Sequence, residues 1–389
     1  MLNSKSRFIK LRIEDFNMTD ELLSLCELLS SIEGSSYWLA GGCVRDIYTK
    51  KQVSDYDFIF MGKSLEELQS ILKEKGLSSR IASSKAGAIE ITIGDTSFDI
   101  ACRQDKVGVM TTIGQYDFTI NALLLDVETG NIIDPYNGIA DITAGIIRSI
   151  KNPVYHFTEH PTNILRAIYL ISKLNFRLSD EDLEAIYKSD NNLSIEDYAE
   201  SIRIIRLISN IFSGSNREKA IRLLNEFGLL EQIFPSLSEQ IGSEQFDFTG
   251  LDLFSEFLPY DKNSNENMLL TFIYALKDST ENDLRNIRFY GERNQHPGRR
   301  LIKSGLDILN SYRANRNLTL LKEKLKSVPL ITRYQFADSL LSTVILTVAI
   351  EDSKHFTASE QRKSYVQHTY ESVFFSAANT APSTAEIAL

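Results

Sequence analysis

Apolar positions along this chain follow two periods, and the change comes near Ile150. Upstream, short alternating runs are interleaved with helical ones. Leucines at helical spacing between Asp20 and Ile32, preceded by Thr19 as a cap, predict a helix. Tyr37 to Ala40 predicts a short strand running into Gly41-Gly42, and Leu65 to Lys75 a helix started by Ser64. Between them Ser54 to Phe60 alternates, with Tyr56, Phe58 and Phe60 on one face and Asp55, Asp57 and Ile59 on the other. Ile89 to Ile93 and Ser97 to Arg103 read as two strands around a tight turn at Gly94-Asp95. Leu123 to Val127 and Ile132 to Asp134 read as a second hairpin around Thr129-Gly130-Asn131. Downstream of Ile150 the period is helical, with turns at Asn152-Pro153, Ser213-Gly214-Ser215 and Gln295-His296-Pro297-Gly298. The pattern predicts an α+β head, a mixed sheet with helices, followed by an all-helical remainder.

Composition changes this picture little. With 43% apolar and 24% charged residues over 389 positions, the chain fits a globular protein of several compact units. Cys26, Cys43 and Cys102 form no C-x-x-C pair and leave an odd count, which argues against a disulfide framework or a zinc site and for a reducing compartment. The basic N-terminus lacks the apolar core of a signal peptide. The longest apolar stretch, Ser339 to Ile350, falls short of the roughly 20 residues a membrane span needs and predicts a buried helix. A cytoplasmic location with no membrane partner is expected.

Charge matters more. The formal net charge is −10, yet Arg285 to Arg333 holds twelve Lys/Arg against three Asp/Glu, a local +9 that leaves −19 on the rest. That segment, with Arg285, Arg288, Arg293, Arg299, Arg300 and Lys303, reads either as a phosphate footprint for RNA or as a solvated helical face.

The candidate chemistry begins at Asp55-Tyr56-Asp57. Residues i and i+2 of a strand share a face, so both carboxylates project together, and a divalent cation relieves their repulsion. Taken alone, such a pair also describes a strand with two solvent-facing acids. Gly41-Gly42, between a strand and a helix, allows close backbone approach to a ligand and aims amide N–H groups at an anion. Arg45 and Asp46, one turn on, are placed to orient a triphosphate and support the site. Asp99, on a neighbouring strand between inward-facing Phe98 and Ile100, is the third carboxylate of a two-metal arrangement.

Gly41-Gly42-Cys43-Val44-Arg45-Asp46 with Asp55-Tyr56-Asp57 resembles the first signature of tRNA nucleotidyltransferases and bacterial poly(A) polymerases. Asp117-Phe118-Thr119-Ile120-Asn121-Ala122-Leu123 resembles the second, and Ile133 to Gly138 through Arg148 the stretch that closes the family's head. Ile164-Leu165-Arg166-Ala167-Ile168 is similar to the start of its neck helices, and the matches run in family order from Tyr37 to Pro235. The resemblance implies a polymerase-β-like nucleotidyltransferase head at 1–150, a helical neck with the base pocket at 151–212, and a helical body at 213–283. A basic helical tail at 284–375 and a disordered end at 376–389 complete the expectation. It implies an enzyme that transfers NMP from NTP, ATP and/or CTP, to an RNA 3′ hydroxyl, tRNA above all, with two Mg2+ ions for which Mn2+ substitutes. Asp55, Asp57 and Asp99 would hold the ions. Gly41, Gly42, Arg45 and Asp46 would serve the triphosphate, Asp117 and Asn121 the ribose, and Glu159, His160, Asn163 and Arg166 the base.

Two positions depart from the family's pattern. Its Glu-Asp-x-x-Arg neck motif aligns here with Glu159-His160-Pro161-Thr162-Asn163, so the acceptor-only Asp and donor-only Arg are both replaced by groups that do either. The arginine pair before Asp117 is replaced by Gln115-Tyr116, with thirteen residues between Arg103 and Asp117. Three functional classes follow: an RNA 3′-end transferase; a specialised transferase with altered nucleotide or acceptor, of a tRNA-modifying defence or toxin kind; and a catalytically retired module that binds RNA or a protein partner.

Overall fold

A computed structural model describes residues 9–10, 19–51, 53, 55–83, 87–94, 96–193, 198–257, 271, 274–278, 297–315 and 343–378. It divides into two compact units, one of residues 1–159 and 176–188, the other of 160–175 and 189–389.

The first unit is built on an eight-stranded mixed sheet in the order β1-β8-β7-β2-β3-β6-β5-β4. The strands are β1 Ile9–Lys10, β2 Ser36–Ala40, β3 Tyr56–Met61, β4 Ser79–Ser83, β5 Ala88–Ile93, β6 Thr96–Arg103, β7 Leu124–Leu125 and β8 Asn131–Ile133. Only β3 and β6 run parallel; the other neighbours are antiparallel. Phe58, Ile59 and Phe60 of β3 are all buried, so this central strand is covered on both faces and the alternation read from sequence holds only around Asp57.

Local chemistry explains the helices that flank the sheet. Helix α1, Asp20–Ser30, starts at Thr19, whose hydroxyl accepts from the Leu22 amide at 3.3 Å, and buries Leu22, Leu25, Cys26 and Leu29. Helix α2 is Gly42–Tyr48. Helix α3, Leu65–Glu74, opens with a reciprocal cap between Ser64 and Glu67, worth about 1 kcal/mol, and buries Leu68 and Leu72. Sequence periodicity missed α4, Lys106–Ile113, which fills the interval between Arg103 and Asp117. Asp105 caps it by accepting from the Gly108 amide at 2.8 Å. Beyond it a 3-10 turn, Thr119–Asn121, leads to β7, and α5, Gly138–Ala144, precedes β9, Ile146–Ile147.

The expectation of an all-helical remainder is corrected at one point. β10, Arg177–Leu178, pairs in parallel with β9, between α6, Pro153–Glu159, and α8, Asp180–Lys188. The pairing is locked by buried Asp182, which accepts from the Ser149 amide at 3.1 Å and from the Ser179 hydroxyl at 2.5 Å.

The second unit is helical. Helices α7, Thr162–Leu174, α9, Tyr198–Ser213, and α10, Arg217–Glu226, pack together. Ser172 of α7 donates to the Ile211 carbonyl and its own carbonyl accepts from the Asn216 amide. Helices α11, Pro235–Gly242, and α12, Phe248–Phe257, follow. Late in the chain lie the helices Pro297–Asn315, 343–352 and Ser359–Ala378. Thr343 to Ile350 is buried, as the apolar stretch predicted, and among the described residues no helix is long and apolar enough to cross a membrane. The last helix reaches Ala378, into the stretch expected to be disordered; 379–389 lie outside the described residues.

Candidate active site

Strand register assembles the acidic centre. Asp57 on β3 stands directly opposite Asp99 on β6, and Asp99 opposite Glu90 on β5, which faces Arg80 on β4. These residues form one transverse row across the sheet, with Ala40 of β2 on the other side of Asp57. Asp55 lies just before β3 and is exposed, as is Asp99, whereas Asp57 is half-buried. The row is electrostatically strained where three acids meet. Burial first, then the charges of Asp99 and Asp55, pushes the Asp57 carboxyl up to about 6 from an ordinary 3.8. Asp99 is also raised, by burial and then by Glu90 and Asp55. At the far end Glu90 is relieved: Arg80 donates to it at 2.6 Å and Ser97 at 3.1 Å, holding it below the usual carboxylate range. Glu90 was not singled out from sequence, because only the β5–β6 register places it beside Asp99.

The donor set, all carboxylate oxygen and short of positive charge at Asp57, matches the chemistry of a hard divalent cation. Among the described residues no three carboxylate, imidazole or thiolate groups already converge on one point. The acids share a row, and their side chains are not closed around an ion.

Strain of this kind gives a pH dependence. A carboxyl whose folded pKa is raised binds its proton more tightly in the folded chain, so its stabilising contribution is fully present below the unfolded value of 3.8 and is lost as pH rises through about 6. The metal-free protein is therefore expected to lose melting temperature from about pH 4 to about pH 6.5 by more than an Asp57→Asn variant does. Differential scanning calorimetry of the pair checks this. Parallel curves for the two proteins would refute the strain.

Arg45 and Gly41 make internal contacts of their own. Arg45 is 3% exposed; its Nε and Nη2 both donate to Asp46 Oδ1 at 2.8 Å, and its Nη1 donates to Asn121 Oδ1. Asn121 in turn donates to Asp117 Oδ1 at 3.1 Å, which also accepts from the Phe118 amide at 2.8 Å. Three of the five guanidinium N–H groups are thus used: one fixes the Asn121 amide and two anchor the group to Asp46. Gly41, at φ +80°, spends its N–H on the Leu123 carbonyl at 3.1 Å, so that donor is not aimed at an anion. Its contribution is space. A Cβ there would stand 3.3 Å from Asp57 Oδ2 and 3.2 Å from Cε1 of Tyr116, a tighter fit than ordinary contact. A Cβ on Gly42 would stand 3.3 Å from Arg45 Nη2.

The 3-10 turn that carries Asn121 is held by further bonds. Thr119 donates to Asp141 Oδ2 at 2.7 Å, and Arg148 pairs with both Asp141 and Glu181. Asp134 accepts from the amides of Gly138 and Ile139 at 2.8 and 3.0 Å, fixing the start of α5.

The remaining candidates divide between the units. Glu159 ends α6 in the first unit and is exposed. In the second unit, exposed His160 precedes α7 and its carbonyl accepts from the Asn163 amide at 2.8 Å. Asn163 and exposed Arg166 follow at i, i+3 spacing on α7. Arg285, Arg288 and Arg293 lie outside the described residues, and Arg299, Arg300 and Lys303 lie on the helix Pro297–Asn315. One cation of that basic segment is committed internally: Arg313 pairs with Glu351 and with Asp278.

Residues 37–148 match the family described as the Poly A polymerase head domain. The chain is 24% identical to the CCA-adding enzyme of Bacillus velezensis over 87% of its own length and 80% of that protein. It is 26% identical to poly(A) polymerase I of Haemophilus influenzae over 56% of its length and 52% of that protein. Among solved structures, the Bacillus stearothermophilus CCA-adding enzyme in complex with CTP superposes with a TM-score of 0.62 at 18% identity, covering 91% of this chain and 83% of that one.

Proposed function

We propose that this chain, whose residues 37–148 match the Poly A polymerase head domain, is a class II tRNA nucleotidyltransferase-like enzyme, adding nucleotides without a template to an RNA 3′ hydroxyl. The observation that carries the reading is the acidic row, in which Asp57 and Asp99 are cross-strand partners beside Gly41, where any side chain would crowd Asp57 Oδ2. Similarity to a CCA-adding enzyme crystallised with CTP supports a nucleoside triphosphate as the donor substrate.

Asp55, Asp57 and Asp99 are the residues that would hold divalent cation, two Mg2+ ions with Mn2+ as a substitute. Asp55 and Asp99 are exposed to solvent on either side of Asp57. Bound there, such ions supply Lewis-acid activation of the attacking hydroxyl and neutralise the triphosphate. The protein's own part is orientation. Arg45 and Asp46 fix the Asn121 amide, and Asn121 with the Phe118 N–H fixes one oxygen of Asp117, presenting a rigid polar edge to the ribose. Glu159, His160, Asn163 and Arg166 are the candidate base-reading residues. His160 and Asn163 each donate or accept, so they do not impose the single donor–acceptor pattern that an Asp and Arg pair would. The acceptor is an RNA 3′ end, tRNA first, with phosphates met by the basic segment from Arg285 to Arg333.

The test is extension of tRNA trimmed at its 3′ end, with each nucleoside triphosphate supplied separately. Extension that requires divalent cation, with ATP and CTP both used and discrimination against GTP and UTP weaker than about 100-fold, is the expected result. Faithful rebuilding of CCA with strong rejection of other bases would contradict the role given to His160 and Asn163.

A further inference from the structure

The transverse row holds one acid beyond the three that would bind cation. Glu90 stands opposite Asp99 in the antiparallel β5–β6 pair, so their Cβ atoms lie about 5 Å apart on one face of the sheet. Its neighbours Ile89 and Ile91 are buried on the opposite face, which fixes that register. Both carboxylate oxygens are held: Oε2 accepts from Arg80 at 2.6 Å and Oε1 from the Ser97 hydroxyl at 3.1 Å. With its oxygens engaged in this way, what Glu90 brings to Asp99 is charge. After burial, Glu90 is the largest influence raising the Asp99 carboxyl, ahead of Asp55, while Arg80 lowers it. The row thus carries a fixed negative charge one strand outside Asp99, with a counter-charge one strand further out.

We propose that Glu90 is a positioning residue for divalent cation: its charge strengthens the hold of Asp99 on the ion, and the Arg80 guanidinium moderates that effect. The proposal rests on the reading in which Asp55, Asp57 and Asp99 hold the cation, and not on which nucleotide or RNA is used. Its consequence is a difference of sign between two bonded residues. Glu90 adds to the attraction for cation and Arg80 subtracts from it. An ion pair that merely braced β4 against β5 would give both deletions the same sign, since either one breaks it. Exposure sets the relative sizes: the Arg80 side chain is 75% exposed against 24% for Glu90, so water and salt screen the arginine more.

The test is Mn2+ binding to the full chain without nucleotide or RNA, followed by electron paramagnetic resonance and counting only the binding that Asp57→Asn removes. Glu90→Gln keeps the shape and an acceptor for Arg80, and is expected to bind Mn2+ about fivefold more weakly. Arg80→Gln is expected to bind it about twofold more tightly at low salt, with the gain gone at about 1 M salt. Glu90→Asp keeps the charge while drawing the carboxylate back from Arg80 and Ser97, and should stay within about twofold of wild type. In extension assays the Mg2+ concentration for half-maximal rate shifts in the same directions, while kcat at saturating Mg2+ stays within about twofold. Weaker binding in both Glu90→Gln and Arg80→Gln, unchanged binding in Glu90→Gln, or no Mn2+ binding by the wild type overturns the proposal. Failure of Glu90 and failure of the transferase are distinguishable. RNA extension by the wild type, with equal Mn2+ affinity in all variants, removes Glu90 and keeps the transferase. Opposite shifts in Mn2+ affinity, in a protein that extends no RNA, keep Glu90 and remove the transferase.

Discussion

Asp57→Asn is expected to slow single-turnover extension about a thousandfold, roughly 4 kcal/mol in the barrier, while the protein stays folded. The argument combines two properties of one side chain. Asp57 is the only half-buried acid of the three, flanked by Asp99 across the β3–β6 pairing and by Asp55 just before the strand, so it is the hub through which any cation would be shared. An asparagine of nearly the same shape keeps the packing but supplies a neutral oxygen, and the cation loses its innermost charge. The same change relieves repulsion in the metal-free protein, because the carboxyl is strained upward to about 6. The signature is therefore lost activity with equal or higher melting temperature at neutral pH, which a folding defect cannot produce. Extension within about tenfold of wild type would remove the acidic row from the mechanism.

Gly138→Ala carries the largest expected structural effect. A Cβ at that position would stand 2.1 Å from the Thr119 carbonyl oxygen and 2.8 Å from its carbon, both backbone atoms that no rotamer change can move. The Gly138 amide is pinned to Asp134 at 2.8 Å, and the neighbouring Ile139 amide to the same carboxylate, so α5 cannot retreat without breaking its cap. Thr119 cannot retreat cheaply either, since its hydroxyl is bonded to buried Asp141. The substitution is expected to cost about 3 kcal/mol or more, lowering the melting temperature by roughly 5–10 °C. Because Thr119 opens the 3-10 turn that carries Asn121, residual activity should fall as well. Gly76→Ala is the control: its φ is +81° with nothing within 4 Å, so about 1 kcal/mol of backbone strain is all it should lose. Equal losses in the two variants would show that the Thr119 contact is not tight.

Much of the head was legible in the chain. Alternation around Asp57, the turn at Gly94-Asp95 and the diglycine gave β2, β3, β5, β6 and the start of α2, because these elements carry their periodicity and turn residues locally. The pairing that sets Asp57 opposite Asp99 is not local, so the row's extension to Glu90 and Arg80 needed the register. The motif suggested triphosphate contacts for Arg45 and Gly41, and only the structure shows that Arg45 also bonds Asp46 and Asn121 and that the Gly41 N–H bonds the Leu123 carbonyl. Tyr116 stood in sequence only as a lost cation, and its position over Gly41 depends on α4, a helix whose apolar residues show almost no one-sided pattern. In the second unit, Asp247 and Arg362 pair at 2.6 Å across 115 residues of chain, a partnership no local period announces.

The most direct measurement is sequencing of RNA 3′ ends after incubation of trimmed tRNA with wild-type protein or Asp57→Asn, all four nucleoside triphosphates and divalent cation. The account predicts untemplated nucleotides joined to the 3′ hydroxyl by the wild type alone. Unaltered 3′ ends with folded, metal-supplied wild-type protein, on tRNA and on generic oligoribonucleotides alike, would contradict it.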